Sequence, residues 1–208
     1  LRTGRDEGGK PTQEGSSFEV LKSPVIITLL IFTFVGSIGR GSIVSFVPLL
    51  AQEKLGMSAT LLGAVLTTNL SLAAVLLLPF GILADRTDRK RILLAGTLLS
   101  GLMFAALPSA SGLWSLLTVN ILLGIGTALA FPAAQAIAVT LARGRGRGTV
   151  LASLQAATGA GFATGPLLSG MIYKTHGIDL VFHACSGFLL IASIYGLFFL
   201  HPPPQQIR

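Results

Sequence analysis

The chain has few of the residues that allow a protein of its size to remain in water. Charged residues make up 11% of its 208 residues, less than half of the roughly 25% that is usual in soluble domains. Hydrophobic residues account for 51%, and the mean hydropathy is +0.77. So few polar side chains could not cover the surface of a soluble globule, and the composition therefore excludes one.

Cysteine and catalytic patterns are also scarce. Cys185 is the only cysteine, which excludes an intrachain disulfide and a cysteine metal site. The apolar runs contain no Asp pair, Ser–His pair or metal-ligand cluster, so we expect no catalytic residues, no metal, no cofactor and no intramembrane enzyme. The net charge is +7, but no basic face alternates with aromatic residues, and we expect no nucleic acid as a partner.

The chain is instead rich in long apolar runs. A helix needs about 20 mostly apolar residues to cross a bilayer, and six runs fit that criterion. They are Pro24–Leu50, Leu61–Ile82, Ile92–Leu107, Leu113–Leu141, Thr149–Tyr173 and Ile178–Leu200. The sequence therefore predicts an all-α membrane protein with six transmembrane helices over residues 23–201. A polar tether precedes the bundle at 1–22, and a Pro-rich tail follows it at 202–208.

The basic residues indicate the orientation. Only Lys54 and Lys174 fall in the loops of one side, and Arg40 lies within a run. The other twelve fall on the opposite side, at Arg2, Arg5, Lys10, Lys22, Arg86, Arg89, Lys90, Arg91, Arg143, Arg145, Arg147 and Arg208. Lys and Arg are in excess in cytoplasmic loops. We therefore expect both termini to be cytoplasmic, in a plasma or bacterial inner membrane.

The loop between the second and third runs has the most specific pattern, Gly-x-Leu-Ala-Asp-Arg-x-x-Arg-Lys. Its gating-loop residues are Gly81, Asp85, Arg86, Arg89 and Lys90. This pattern resembles the cytoplasmic loop signature of the major facilitator superfamily (MFS) of secondary transporters. The resemblance implies that Asp85, with the basic residues, latches the cytoplasmic gate against the opposite half, and that Gly81 lets two helices approach closely. The alternative is that the charges only anchor the loop.

One residue of the loop departs from the family pattern. Asp88 stands where the family usually has Gly. Glycine favours a tight turn, so the geometry of the latch can differ in this chain.

The fifth run contains Gly-Phe-Ala-Thr-Gly-Pro-Leu-Leu-Ser-Gly at 161–170. This stretch is similar to the Gly-Pro motif in the fifth helix of many facilitator exporters, and the resemblance implies efflux of drug-like or metabolite compounds. Small residues such as Gly161 and Gly165 let helix backbones touch in lipid, and Pro166 permits a bend. Close packing and a role in conformational change remain alternatives for this motif, which ends at Gly170.

The resemblance covers residues 20–201 and implies one half of the MFS general-substrate-transporter fold. A complete facilitator has two six-helix halves joined by a cytoplasmic loop, which the polar N-terminal tether without Met resembles. Asn120 stands where the first half usually has an Arg early in its fourth helix. We therefore interpret the chain as the C-terminal half, helices seven to twelve. The expected partners are the lipid bilayer, a small-molecule substrate and the other six-helix half.

Two functions remain open at this point. The first is a secondary active transporter that works by alternating access, with efflux antiport as its mode. The second is a six-helix carrier or scaffold, complete in itself, that pairs with a second copy. No Asp or Glu lies deep in any run, so a proton-coupling carboxylate would lie in the other half, or transport would be driven otherwise.

Arg40 is the only Asp, Glu, Lys or Arg near the centre of a run. Burying an arginine there costs roughly 2.5–3.5 kcal/mol, so we expect it to face a cavity, towards an anionic substrate or a carboxylate of the other half. A purely structural pair is the alternative. Four amides at intramembrane depth can bind substrate or tie helices together. They are Asn69, Asn120, Gln135 and Gln155.

Overall fold

The computed structural model describes residues 21–142 and 146–199, except for the side chains of Asp85 and Phe199. Within these ranges the regular structure is helical, with no strand. Six α-helices follow one another, and a short 3-10 turn, Leu107–Ser109, follows the third. They are α1 Pro24–Leu55, α2 Ala59–Arg86, α3 Arg89–Ala106, α4 Leu113–Leu141, α5 Arg147–His176 and α6 Ile178–Phe199. Most of the predicted tether, and the whole predicted tail, lie outside the described residues.

Several helices extend beyond the apolar runs that predicted them. α1 continues to Leu55 rather than ending at Leu50, and α2 continues into the charged loop as far as Arg86. At 32 residues, α1 is about 48 Å long, whereas the hydrocarbon core of a bilayer is about 30 Å thick. An apolar run ends where the hydrocarbon ends, but backbone hydrogen bonding continues into the hydrated interface. The run boundaries were therefore too short as helix boundaries.

The helix connections are short and use specific caps. Gly56, with φ of 58°, ends α1, and Gly177, with φ of 82°, is the single residue between α5 and α6. Both need the left-handed region that glycine enters without strain. Asp88, in the family's glycine position, is the N-cap of α3, and its Oδ1 accepts a hydrogen bond from the Lys90 backbone N–H at 3.0 Å. A capping carboxylate thus starts α3 directly after the loop.

Five of the six helices are long and apolar enough to cross a bilayer. The exception by this criterion is α5, which has 30 residues but is rich in glycine and hydroxyl-bearing side chains. The structure therefore confirms a helical protein with several candidate spans, but it does not confirm the exact number of six. A sixth crossing by α5 stays a prediction.

The bundle is organised around two close helix pairs, α1 with α5 and α3 with α4. A Cβ added at Gly96 would lie 2.6 Å from the backbone oxygen of Gly126, so the backbones of α3 and α4 touch at that crossing. α2 packs mainly on α4, while α6 packs on α3 and α1. Such backbone contacts suit a bilayer, where small residues rather than a hydrophobic effect drive helix association.

Buried apolar side chains form two clusters, one near each end of the bundle. One includes Phe46, Leu116 and Phe182, at the end where α1 meets α2. The other includes Leu29 and Ile137, at the end that carries the charged loop. The middle of α1 lies between the two clusters.

The end of the bundle opposite the charged loop is tied by polar contacts. Lys54 forms an ion pair with Asp179 at 2.5 Å and donates a hydrogen bond to the Pro108 carbonyl oxygen at 3.3 Å. The Tyr173 hydroxyl donates a hydrogen bond to the Glu53 carboxylate. These contacts join α1 to α5, α6 and the 3-10 turn, and so they fix the relative positions of the helices around the site.

Candidate functional site

Arg40 lies near the middle of α1, between the two apolar clusters. Its guanidinium carbon is 4.5 Å from the centroid of the Phe131 ring on α4, a cation–π distance. No carboxylate in the described part of the chain forms an ion pair with it. The ring therefore compensates part of the charge, and the N–H groups of the guanidinium remain available for an acceptor.

A cavity of about 210 Å³ opens beside Arg40. Side chains of α1, α2, α4 and α5 form its walls, and most of them are apolar. The lining residues are Arg40, Ile43, Val44, Leu66, Asn69, Leu70, Ala73, Leu77, Thr127, Ala128, Phe131 and Phe162. Arg40 is the only ionisable residue among them. The cavity therefore combines one cation with an apolar wall, which is typical of a small-molecule site.

A second pocket, of about 50 Å³, lies on the other side of Arg40, towards α3. Arg40, Thr127 and Phe131 line both spaces. The smaller pocket adds the hydroxyls of Thr97 and Ser100, each of which donates a hydrogen bond to a carbonyl oxygen of α3. These hydroxyl oxygens retain lone pairs, so Arg40 borders two mostly apolar spaces, of which the smaller includes two additional hydroxyl groups.

Two of the four predicted amides lie close to this site. Asn69 lines the cavity, and its Nδ2 donates a hydrogen bond to the backbone oxygen of Asn120 at 2.6 Å. The side chain of Asn120 is buried and donates to the Leu116 carbonyl oxygen at 3.1 Å. Asn69 thus lines the cavity and is also bonded to α4, whereas Asn120 does not line the cavity.

The other two amides lie outside the lining of the cavity. Gln135 is half-buried and Gln155 is exposed. Gln135 follows Phe131 by four residues on α4, and Gln155 precedes Phe162 by seven on α5, so each shares a helix face with an aromatic residue of the cavity. Both lie towards the charged loop. The structure therefore brings Arg40 and Asn69 together and places the glutamines farther along the same faces.

The charged loop is held by hydrogen bonds to carbonyl and hydroxyl groups of the same chain. Arg89 donates hydrogen bonds to the Thr140 hydroxyl at 2.5 Å and to the Ala136 carbonyl oxygen at 3.3 Å, both on α4. Lys90 Nζ donates to the Leu197 carbonyl oxygen of α6 at 2.8 Å. Arg86 is exposed. Two of the motif cations thus bind the ends of neighbouring helices, where carbonyl groups favour positive charge.

The motif glycines lie in different surroundings. A Cβ at Gly161 or Gly165 would come within 3.0 Å of a backbone carbonyl of α1, whereas one at Gly81 or Gly170 would meet nothing within 4 Å. Pro166 lies at the same contact between α1 and α5, because its ring is 3.0 Å from a Cβ placed at Gly41 of α1. Gly161 and Gly165 therefore lie at the α1–α5 crossing, and a close approach at Gly81 stays a prediction.

Sequence reasoning missed several residues of the site. Phe131, Thr127 and Phe162 line the cavity but look like ordinary residues of apolar helices. The only local signal was that Phe131 directly precedes Pro132, the proline inside α4. The buried hydrogen bond between the hydroxyls of Ser42 and Ser169, at 2.7 Å across the α1–α5 crossing, was also missed.

Comparison with known proteins leads to the same family that the sequence motifs resemble. A family model described as Major Facilitator Superfamily matches residues 29–208. The chain belongs to the major facilitator superfamily. Members of this family are transporters rather than enzymes, which confirms the prediction that the chain is not an enzyme. Together with its apolar helices, this membership makes the chain a multi-pass integral membrane protein whose surroundings are the lipid bilayer.

Individual MFS relatives are similar at low identity. The multidrug resistance protein MdtG of Proteus mirabilis is 30% identical over 172 residues, which cover 80% of this chain and 42% of that protein. MdtG of Enterobacter lignolyticus is 26% identical over 179 residues, covering 84% and 43%. The uncharacterized MFS-type transporter YqjV of Bacillus subtilis is 27% identical over 175 residues, covering 84% and 41%. The chain thus spans less than half the length of these MFS proteins.

Proposed function

We propose that this chain is one half, the C-terminal one, of a secondary active transporter that moves a small molecule by alternating access, as an efflux antiporter. The observation that carries the proposal is the cavity beside Arg40 in a member of the MFS. Similarity to multidrug resistance proteins supports efflux. Midplane sites between two repeats are the general arrangement in such carriers.

The second half of the proposed transporter would cover α2 and α5. α2 is the least buried of the five candidate spans. On α5, the small residues Ala152, Ala156 and Ala163 are exposed, and small residues permit close helix packing. α5 also exposes large side chains such as Leu167, 70% exposed, but α6 differs because none of its exposed residues from Leu180 to Phe198 is small. We therefore assign α5 and α2 to the partner half and α6 to lipid.

The charged loop would then act as a latch with two parts. Arg89 and Lys90 hold the loop on α4 and α6, while Arg86, exposed at the end of α2, and its neighbour Asp85 would contact the second half. The cluster of basic residues supports a cytoplasmic position for this end and for both termini, with the protein in a plasma or inner membrane. Gln135 and Gln155 would lie on the cytoplasmic path to the cavity.

The energy coupling of the proposed antiporter would come from the other half. Glu53, Asp88 and Asp179, the described acidic residues with described side chains, lie near helix ends, and Asp85 lies in the last turn of α2. None of them lies at the depth of Arg40. A proton relay needs a carboxylate or histidine within the membrane, so the coupling group is assigned to the second half.

Cysteine accessibility tests alternating access. In the intact transporter that carries this chain, Cys185, which is buried, is replaced by Ser, and Val44, a cavity residue, by Cys. A membrane-impermeant thiol reagent is then applied to either side of oriented vesicles. We expect labelling from both sides, in proportions that shift when a substrate or an ion gradient is added.

Ile194→Cys is the matched control, because Ile194 is 60% exposed on α6 and assigned to lipid. It should remain unlabelled from both sides. Labelling of Val44→Cys from one side under every condition would contradict alternating access. A native mass that corresponds to two copies of this chain, with no additional helices, would instead favour the homodimeric six-helix carrier.

A further inference from the structure

The Arg40 cavity has a charge and shape that select one class of substrate. We infer that it binds an amphipathic organic anion, with a carboxylate or similar acidic group at Arg40 and an apolar or aromatic body against the opposite wall. This inference rests on the proposed function, since it names the substrate of the same site. Three features of the described residues carry it: the charge, the arrangement of the guanidinium, and the cavity wall.

The charge of the lining is positive and has no counter-ion. Arg40 is the only ionisable residue among the twelve that line the cavity, and its nearest compensation is the Phe131 ring. A cation–π contact compensates only part of the cost of placing a guanidinium in a bilayer. An anion in the cavity would offset the remainder, whereas a cation would be repelled.

The orientation of Arg40 suits a planar acidic group. The guanidinium carbon lies 4.5 Å from the Phe131 centroid, and a guanidinium carries five N–H donors in a planar fork that matches the two oxygens of a carboxylate. The neighbouring polar groups are partly occupied. Thr127 donates its proton to the Gly124 carbonyl oxygen at 2.9 Å, and one amide proton of Asn69 is donated to Asn120. Arg40 is therefore the main donor to a ligand.

The remaining wall is apolar. Val44, Leu70 and Phe162 are examples of the apolar lining side chains and are 46%, 63% and 46% exposed in this chain. Burial of an apolar ligand surface against them is favourable, and the ring of Phe162 can contact a flat aromatic body. A small inorganic anion would leave this wall uncovered, so the ligand is an anion with an apolar body.

Binding of three probes with one ring system tests the inference. Indole-3-acetate is an anion, indole-3-acetamide is neutral and tryptamine is a cation, and each is titrated calorimetrically into the purified intact transporter. We expect the acetate to bind at least about tenfold more tightly than the amide, because hydrogen bonds to charged groups are the strong ones. In Arg40→Gln, this preference should fall to within about twofold of unity.

Two further variants separate recognition from folding. Phe131→Leu keeps the charge and removes the ring, so the preference for acetate should persist in a weakened form. Lys174→Gln removes one positive charge from the exposed end of α5 and should leave the preference unchanged. Equal binding of acetate and amide to the wild-type protein, or a preference that survives in Arg40→Gln, would overturn the inference.

Transport of the same probes into proteoliposomes distinguishes this inference from the proposed function. If amide or tryptamine is transported and acetate is not preferred, the result supports the proposed transport function and contradicts the anion site. If acetate binds in an Arg40-dependent way but no probe is transported under any gradient, the result supports the anion site and contradicts the transport function. If acetate is not preferred and Arg40→Gln unfolds at lower temperature without ligand, Arg40 instead pairs with a carboxylate of the second half.

Discussion

Arg89 donates a hydrogen bond from Nη1 to the hydroxyl oxygen of Thr140 at 2.5 Å, which joins the start of α3 to the last turn of α4. The same nitrogen donates to the Ala136 carbonyl oxygen, and Nε donates to the Ala84 carbonyl oxygen of α2 at 3.2 Å. One side chain therefore joins three helices at the end of the bundle that carries the charged loop. The motif arginine is thus a structural tie within this chain.

Removal of this tie should loosen the charged loop. We expect Arg89→Ala to lower the free energy of unfolding by about 1.5–3 kcal/mol, because hydrogen bonds to charged groups contribute in that range. Thr140→Val removes a single acceptor and should cost less. The measurement is the thermal unfolding of the intact transporter in lipid nanodiscs.

Arg91→Ala is the control for the Arg89 experiment. Arg91 belongs to the same loop, but its side chain is 85% exposed, and among the residues that the structure describes it forms one ion pair, with Asp88 at 3.3 Å. Exposed pairs of this kind contribute about 0–1 kcal/mol, so the unfolding temperature should hardly change. An equal loss of stability in Arg91→Ala and Arg89→Ala would show that only the net charge of the loop matters.

The cap of α3 gives a second prediction. Asp88 Oδ1 accepts the Lys90 backbone N–H, and loss of an N-cap typically costs about 1 kcal/mol. Asp88→Ala should therefore lower stability, while Asp88→Asn should retain most of it. Asp88→Gly, which restores the family residue, should cost only a few tenths of a kcal/mol. Thermal unfolding in nanodiscs measures all three, and equal stability of the Ala and Asn variants would contradict the capping role.

The sequence predicted those features that depend on local chemistry. A lone arginine in an apolar run has to face a polar space or a partner, and Arg40 indeed lines a cavity. Its stacking on Phe131 could not be predicted, because it depends on how α1 and α4 align after packing. The backbone contact between Gly96 and Gly126 was missed for the same reason, since no motif marks either glycine.

The surroundings of the motif glycines could not be predicted from their spacing, for a related physical reason. Gly161 and Gly165 are spaced by about one turn, and a Cβ at either would meet the α1 backbone, whereas a Cβ at Gly81 or Gly170 would meet nothing within 4 Å. A small residue permits a close approach but does not specify the approaching helix. Sequence spacing therefore identified a helix face rich in small residues, and only the packed structure separated the internal crossing from the open positions.

The α1–α5 crossing gives a third prediction. A Cβ at Gly165 would come within 3.0 Å of the Ile38 backbone, so Gly165→Ala must push the helices apart and should destabilise the bundle by about 1–3 kcal/mol, as overpacking does. Gly170→Ala is the matched control, with open space around the new methyl group. In a helix, alanine is favoured over glycine by about 0.8–1 kcal/mol, so this variant should be neutral or more stable. Equal destabilisation of both variants would contradict the crossing.

The last prediction compares two buried amides: the Asn69 side chain bonds to a neighbouring helix, whereas the Asn120 side-chain oxygen has no partner among the described residues. Asn69 Nδ2 donates to the Asn120 backbone oxygen at 2.6 Å and is the polar link between α2 and α4. Such a bond contributes about 0.6–1.7 kcal/mol in a membrane, so Asn69→Leu should destabilise the protein by a similar amount. The Asn120 side-chain oxygen Oδ1, in contrast, is buried and accepts no hydrogen bond from the described residues.

Asn120→Leu should therefore be tolerated. It removes an unpaired buried acceptor, and the Leu116 carbonyl oxygen that it leaves is the regular helix acceptor four residues earlier. Leaving a polar group buried without a partner costs about 1–3 kcal/mol, so its replacement should be neutral or stabilising within the limits of packing. Thermal unfolding of both variants in nanodiscs decides the matter. A large loss in Asn120→Leu would mean that Oδ1 has a partner in the assembled transporter, whereas an unaffected Asn69→Leu would mean that the Asn69 bond adds nothing to the packing of α2 on α4.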